Sequence, residues 1–313
     1  MTRGARLAHA LQKSITVRRS HTGAGYVAGD VGTGRAMIRL ASVQTNPVIN
    51  AVEDNVEKMV LAIDDLARAG VQLAVFPELS TTGYMFDSYT EARAVAEEVP
   101  SGPTVQRLLQ ACADNDMHIV FGIAEKAGER LYNSSAILGP LGYIGTYRKL
   151  HLWDNENTIF TPGDLGLPVF VTALGKIGIL ICYDIWFPEA VRALTLSGAD
   201  LLCVPTNWVP LVAGNNESDT AMANILCMAN SHCNGLPIVA ADRCGQERGQ
   251  LFLGRSVITH ASGWLAAGPG PADIEDVLIV DIDVENTASA RQWSEFNNPL
   301  TNRRPDTYRL IGP

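Results

Sequence analysis

Charge is scarce in this chain, and basic charge scarcer still: 18% of its 313 residues are charged, with 24 Lys and Arg against 33 Asp and Glu, a net of −9. That acidic balance argues against a nucleic-acid partner, whose phosphates call for a basic face. Long uninterrupted apolar runs are also missing. No stretch reaches the roughly eighteen residues a membrane-spanning helix needs, although 47% of the residues are apolar. Cysteines are few, at 112, 182, 203, 227, 233 and 244, and they show no metal-ligand spacing. No metal site is therefore expected, and no organic cofactor is required either. Cys227 and Cys233, which flank His232, read as core residues, since free cysteines usually bury. Reduced thiols of this kind fit the cytoplasm. No internal repeat or linker divides the chain, and its length and apolar content suffice for one large core.

Residues 1–36 differ from the rest. They hold six Lys and Arg against one Asp, so the remaining residues carry 18 basic and 32 acidic side chains. They also contain a Gly-rich stretch from Gly23 to Gly34 and no sustained apolar segment of the secretory kind. Three readings compete: a start upstream of the true one at Met37, a flexible extension, and an Arg/Ser-rich targeting peptide. The first two are preferred, which leaves 37–313 as the folded domain.

Within that domain helical and strand-like patterns alternate. Val56, Met59, Val60, Ile63, Leu66 and Ala67 recur at helical spacing, predicting a helix over Val52–Ala69 with Gly70 closing it. Helices are expected near Thr104–Asn115 and Pro188–Ser197, each followed by a strand, at Ile119–Ala124 and Leu201–Pro205. A meander is expected over 131–148, and further strands at Pro237–Ala241, Phe252–Thr259 and Val277–Ile282. Over Glu217–Asn234, the spacing of Ala221, Ile225, Met228 and Ala229 suggests an amphipathic helix. The alternation predicts an α/β fold of two sheets flanked by helices.

Three strand-like segments each end in a reactive side chain. The run from Val71 to Phe76 stops at Pro77-Glu78, Ile144–Arg148 leads to Lys149, and Ile177–Ile181 leads to Cys182. In layered α/β folds sites collect at the carboxyl ends of strands, so this shared polarity is informative. A thiol at such an end, facing a helix N-terminus, suits a nucleophile because dipole and cations favour thiolate. On position alone, a buried structural cysteine is an equal reading. Taken singly, Glu78 reads as a cap and Lys149 as a solvated cation.

The blocks Pro77-Glu-Leu-Ser-Thr-Thr-Gly-Tyr84, Tyr147-Arg-Lys-Leu-His-Leu152 and Cys182-Tyr-Asp-Ile-Trp-Phe-Pro-Glu189 resemble, in order and separation, the three signature blocks of the nitrilase superfamily of carbon–nitrogen hydrolases. Phe160–Asp164, Val204–Trp208 and Arg303–Tyr308 support the resemblance, which covers roughly residues 37 to 310. It implies a four-layer αββα sandwich, commonly dimerised through a helical face. It implies Cys182 as nucleophile, Glu78 as base and Lys149 as the cation that holds geometry and steadies the oxyanion, with the Tyr183 N–H as second donor. A second glutamate four residues before the Phe of Phe-x-Pro-Gly corresponds to Glu156. Glu78 can serve only if burial raises its pKa towards neutrality. His151 reads as a positioning or packing residue, and Asp184 as a cap of the turn or the following helix. Tyr84, Tyr183, Trp186, Asn207 and Trp208 are the expected substrate-binding residues.

The resemblance also bears on substrate. Nitrilases proper typically follow the nucleophile with Trp-Glu, whereas Tyr183-Asp184 resembles the amidase branches. Many of those carry Arg where this chain has Trp186, which implies a small neutral carboxamide with an apolar or aromatic part, unless Trp186 merely packs beneath the site. Arg255 could instead anchor a substrate carboxylate. A nitrilase, an N-carbamoyl hydrolase and an acyltransferase would use the same triad. An inactive relative kept as a binding protein belongs to another class, which the intact Glu78, Lys149 and Cys182 disfavour.

Overall fold

The computed structural model describes residues 37–210, 221–284 and 287–308. The N-terminal segment 1–36, and residues 217–220 of the expected helix, lie outside the described residues.

The first half runs β1 (Met37–Gln44), α1 (Val52–Arg68), β2 (Leu73–Val75), α2 (Tyr89–Val95), α3 (Pro103–Asn115), β3 (His118–Ala127), β4 (Arg130–Gly139), β5 (Gly142–Arg148) and the single turn α4 (Glu156–Ile159). The second half runs β6 (Val169–Thr172), β7 (Gly175–Ile179), α5 (Pro188–Leu196), β8 (Leu201–Thr206), α6 (Met222–Asn234), β9 (Ile238–Asp242), β10 (Gln246–Glu247), β11 (Gln250–Leu251), β12 (Val257–Thr259), β13 (Leu265–Ala267), β14 (Asp276–Asp283) and α7 (Thr287–Ala290).

Two six-stranded sheets result, ordered β14-β1-β2-β3-β4-β5 and β13-β12-β9-β8-β7-β6. Each has three parallel strands at its centre, β1, β2 and β3 in one and β7, β8 and β9 in the other. Their side chains alternate between two destinations, as the two-residue period of a strand requires. Leu40, Leu73, Val75 and Val120 turn towards Ile179, Cys203 and Val239 of the other sheet. Ala41, Val43, Ala74 and Ile119 turn outward to meet Val56, Met59, Ile63 and Leu66 of α1 and Val105 and Leu108 of α3. Burial of each such aliphatic side chain contributes about 1.5–3 kcal/mol. Helices α5 and α6 cover the outer face of the second sheet with Val191, Leu194, Ala223 and Cys227. The order helix, sheet, sheet, helix is the four-layer αββα sandwich. The Ser42 hydroxyl adds a polar tie across its midplane, donating to the Ala240 carbonyl at 2.8 Å.

Helix α1 keeps its expected span, with Gly70 (φ 76°) in the left-handed position that ends it. Three expectations need correction. The strand expected up to Glu78 is regular only over Leu73–Val75, because Pro77 has no N–H to extend a ladder, although the Phe76 N–H still donates to the Val120 carbonyl at 2.8 Å. The strand expected over Phe252–Thr259 shrinks to Val257–Thr259, because Gly254 and Arg255 both take φ of 64° and bend the chain. The apolar stripe of α6 faces the opposite way to that expected. Ile225 is 47% exposed, whereas Asn224, Asn230, Ser231 and Asn234 are buried. Those inward side chains donate to backbone carbonyls of Arg255, Ile185, Leu236 and Asn230 at 2.7–3.0 Å. Cys233 shares the outer face and is exposed, while Cys227 is buried.

Candidate active site

The parallel order of the central strands brings the ends of β2, β5, β7 and β8 to one edge of the sandwich, from both sheets. Glu78 follows β2 in a tight turn in which Leu79 takes φ 47°. That turn lies directly on β3: the Gly122 N–H donates to the Pro77 carbonyl at 3.0 Å, and the Ser80 hydroxyl to the Gly122 carbonyl at 3.1 Å. Lys149 follows β5 with its backbone held on both sides, its N–H donating to the Asn133 carbonyl at 2.9 Å and its carbonyl accepting from Gly163 at 2.8 Å. Gly163 can approach so closely only because it lacks a side chain, since a Cβ there would lie 2.1 Å from the Arg148 carbonyl oxygen. Cys182 opens a short 3₁₀ turn, Cys182–Trp186, with φ 46°. A non-glycine residue held in that region is strained, and such strain tends to collect at functional sites.

Three ionisable groups meet here in a buried cluster. The Lys149 ammonium donates to Glu78 Oε1 and to Glu156 Oε1, each at 2.7 Å, and the three side chains are 0%, 0% and 4% exposed. Asn133 Nδ2 also donates to Glu78 Oε1 at 2.7 Å, and the Tyr84 phenol donates to Glu156 Oε1 at 2.6 Å. The other Glu78 oxygen, Oε2, is buried without a partner among the described residues. Burial and the charge of Glu156 push the Glu78 pKa up to about 7, against the opposing pull of Lys149 and Asn133. Burial also works against the Lys149 ammonium, but Glu156, Glu78 and Cys182 together outweigh it and raise its pKa.

Cys182 lies close enough to share this field. Burial and the Glu78 charge raise its thiol pKa well above the usual value, opposed by Lys149, the Thr206 hydroxyl and the Asn207 N–H. The thiol is therefore protonated at rest, which corrects the expectation that dipole and cation would favour free thiolate. A five-residue turn has little dipole to offer against full desolvation. The arrangement holds a proton donor beside a carboxyl poised near neutrality, which is the requirement for proton transfer coupled to attack.

The sequence-expected residues meet at this edge to different degrees. Glu78, Lys149 and Glu156 form the cluster, Cys182 couples to it, and Tyr84 joins through Glu156. Asn207 Nδ2 donates to the Glu78 carbonyl at 2.9 Å. Tyr183 is half-buried, its ring 4.9 Å from Trp153, 5.1 Å from Phe187 and 6.0 Å from Trp186. Trp186 also packs against the intersheet core. Trp208 is buried in that core, its backbone N–H donating to Asp242 Oδ1 at 2.8 Å. Arg255 donates from Nη1 to the Gly270 carbonyl at 3.3 Å. Asp184 does more than cap its turn. It accepts from the Ile181 N–H at 3.0 Å, from the Tyr147 phenol at 2.7 Å and from the His151 N–H at 3.0 Å, and it contacts His151 Nδ1 at 2.7 Å. His151 is stacked on Phe187, with centroids 3.5 Å apart. Asn133 and Thr206 were not singled out in the sequence, and Tyr147 was named only as the start of a block. An Asn and three hydroxyls, at 133–135 and 206, inside otherwise apolar strands were the available signal.

The family model for carbon-nitrogen hydrolases matches residues 39–292. The chain belongs to the carbon-nitrogen hydrolase family. This hydrolase is 36% identical over 272 residues to a nitrilase of Pyrococcus abyssi, covering 87% of this chain and 99% of the relative. It is 29% identical over 303 residues to N-carbamoylputrescine amidase of Oryza sativa subsp. japonica, covering 91% and 97% respectively. Among solved structures it is similar to a carbon-nitrogen hydrolase from Helicobacter pylori G27, with a TM-score of 0.74 and 26% identity over 87% of this chain and 97% of that one. The hydrolase is thus an enzyme of the amidase or carbon–nitrogen hydrolase type. No helix among its described residues is long and apolar enough to cross a membrane.

Proposed function

We propose that this hydrolase converts a small neutral carboxamide to the acid and ammonia through a thioester on Cys182. The observation that carries the reading is the free Glu78 Oε2, buried beside a protonated Cys182 thiol on a carboxyl whose pKa is about 7. As Cys182 sulfur bonds to the amide carbon, its proton passes to Glu78. The oxyanion that forms is met by the Lys149 ammonium and by the Tyr183 N–H, which stands in the first turn of its helix where amides have no intrahelical partner. Glu78 then gives its proton to the amide nitrogen, the C–N bond breaks and ammonia leaves. Glu78 next takes a proton from water, whose oxygen attacks the thioester. Collapse of that second intermediate breaks the C–S bond and returns the proton to Cys182. Glu156 holds Lys149 between the two carboxylates.

The half-buried rings of Trp153, Tyr183, Trp186 and Phe187 support an apolar or aromatic acyl group. Hydrolysis of an N-carbamoyl amine is a second reading, favoured by the similarity to a carbamoylputrescine amidase. A nitrile substrate is a third, favoured by the similarity to a nitrilase. The reading extends to a reduced compartment such as the cytoplasm, supported by six free thiols, and to a homodimer or larger homo-oligomer, supported by exposed Leu196, Met222 and Ile225 on α5 and α6. No nucleic acid takes part, in keeping with the net charge of −9.

The test is incubation of wild type and Cys182→Ala with simple amides, nitriles and ureido acids, following released ammonia, carbon dioxide and intact-protein mass. An acyl adduct on wild type alone, with ammonia from amides, is expected. Turnover by Cys182→Ala would sink the assignment, and carbon dioxide from ureido acids would move it to the second reading.

A further inference from the structure

The hairpin β10–β11 lies outside both large sheets, yet it holds the loop that carries Tyr84 from two sides. From the buried side, Glu247 Oε2 accepts the consecutive N–H groups of Tyr84 and Met85 at 2.8 and 2.7 Å, with Arg243 Nη1 3.1 Å away. Gly83 (φ 80°) admits it, since a Cβ there would lie 2.8 Å from Glu247 Oε1. From the solvent side, Arg248 donates to the Met85 carbonyl at 2.9 Å and pairs with Glu91 at 2.6 Å and Asp87 at 2.8 Å. Arg248 and Gly249 form the two-residue turn of the hairpin with φ of 47° and 87°, where asparagine or glycine is usual at the first position. A long cationic side chain is held there by the bonds it makes. Phe252, just after the hairpin, sets its ring edge-on to Tyr84 at 5.9 Å and carries the Arg243 guanidinium on its face at 4.1 Å. Both the backbone and the ring of Tyr84 are thus fixed by the 243–252 segment, and the Tyr84 phenol in turn donates to Glu156.

We infer that Glu247 is a positioning residue for the reaction, acting through Tyr84 to hold Glu156, and hence Lys149, at the geometry Glu78 and Cys182 require. The hairpin is the clip that keeps it there. The inference rests on the proposed role of the cluster and adds a residue that touches none of the reacting atoms.

The test compares Glu247→Gln in the wild-type and Tyr84→Phe backgrounds by two readouts: steady-state hydrolysis of an amide substrate, and the rate at which iodoacetamide alkylates Cys182, located by peptide mass with Cys182→Ala as the control for the exposed Cys233. Glu247→Gln is expected to lower kcat and the alkylation rate on the order of tenfold with KM changed by less than about twofold, because misplacement by a fraction of an ångström suffices. In the Tyr84→Phe background the same change is expected to cost less than about twofold, as residues acting in series are non-additive. Equal losses in both backgrounds, or a lowered melting temperature with kcat and alkylation unchanged, would overturn the inference by reducing Glu247 to a structural role. Alkylation needs no substrate, so an unreactive amide panel alongside a normal Glu247-dependent alkylation rate would count against the proposed substrate and not against the clip. If Glu247→Gln does not fold, Arg248→Ala on the solvent side decides. A loss of more than about twofold that vanishes in Tyr84→Phe supports the clip, and no loss overturns it.

Discussion

Gly122 offers the sharpest test of how the Glu78 turn is held, because it lies on β3, far from the site in sequence. A Cβ built there would fall 2.2 Å from the Leu79 nitrogen and 2.6 Å from the Glu78 Cα and carbonyl carbon, all backbone atoms. Ordinary contact begins at 3.4 Å, so Gly122→Ala forces the turn away by about 1.2 Å. The turn cannot give locally, since Leu79 is already at φ 47° and the Pro77 carbonyl and Ser80 hydroxyl are both bonded to Gly122. Overpacking of this kind costs about 1–3 kcal/mol of stability. A shift of about 1 Å in a reacting group costs about a hundredfold in rate. The expected result is a modest fall in the urea midpoint with kcat/KM down about two orders of magnitude and iodoacetamide alkylation of Cys182 slowed in parallel. Loss of stability with kcat/KM held within about threefold would refute the reasoning, because Glu78 would then be aimed by something other than its seat on β3.

Other outcomes follow from the same cluster. For an amide substrate kcat/KM is expected to be flat above neutrality and to fall about tenfold per pH unit below about 7, because Glu78 is protonated there and can accept no proton; an acid limb centred near 4.5 would contradict the burial argument. Lys149→Met strands two buried carboxylates beside each other, so urea denaturation should show a loss of about 3–5 kcal/mol, recovered in good part when Glu78→Gln and Glu156→Gln are added. Wild-type stability in Lys149→Met would mean that the carboxylates are not held by charge. Ile225→Asp puts a charge on the exposed apolar face of α6, and sedimentation velocity should show a smaller species than wild type. An unchanged sedimentation coefficient would remove that face from any assembly.

Much of the fold was legible because burial and periodicity agree in its long elements. Helix α1 follows its apolar stripe, and β8 and β9 are short apolar runs ended by polar residues. Legibility failed where backbone sterics or side-chain hydrogen bonds override hydropathy. Gly254 and Arg255 break what reads as one strand, and α6 turns Asn224 and Asn230 inward because the carbonyls of Arg255 and Ile185 await them there. For the site, Glu78, Lys149 and Cys182 were readable as strand-end residues within recognisable blocks, and Glu156 only by its spacing from Phe160 in the resemblance. Their supports were not. Asn133 and Thr206 lie within apolar strands, and the bonds of Glu247 to the Tyr84 loop span more than 160 residues of sequence. Neither hydropathy nor local spacing encodes such a contact.

Glu78 and Lys149 hang from one sheet, while Cys182 and Asn207 hang from the other. The site is therefore a seam, and its dimensions are set by how the two sheets seat on each other through Leu40, Val75, Ile179 and Cys203. A sandwich can slide along such a layer by a fraction of an ångström while remaining folded. Activity then works as a vernier on the packing of the midplane: conservative changes in that apolar layer should register in turnover well before they register in melting.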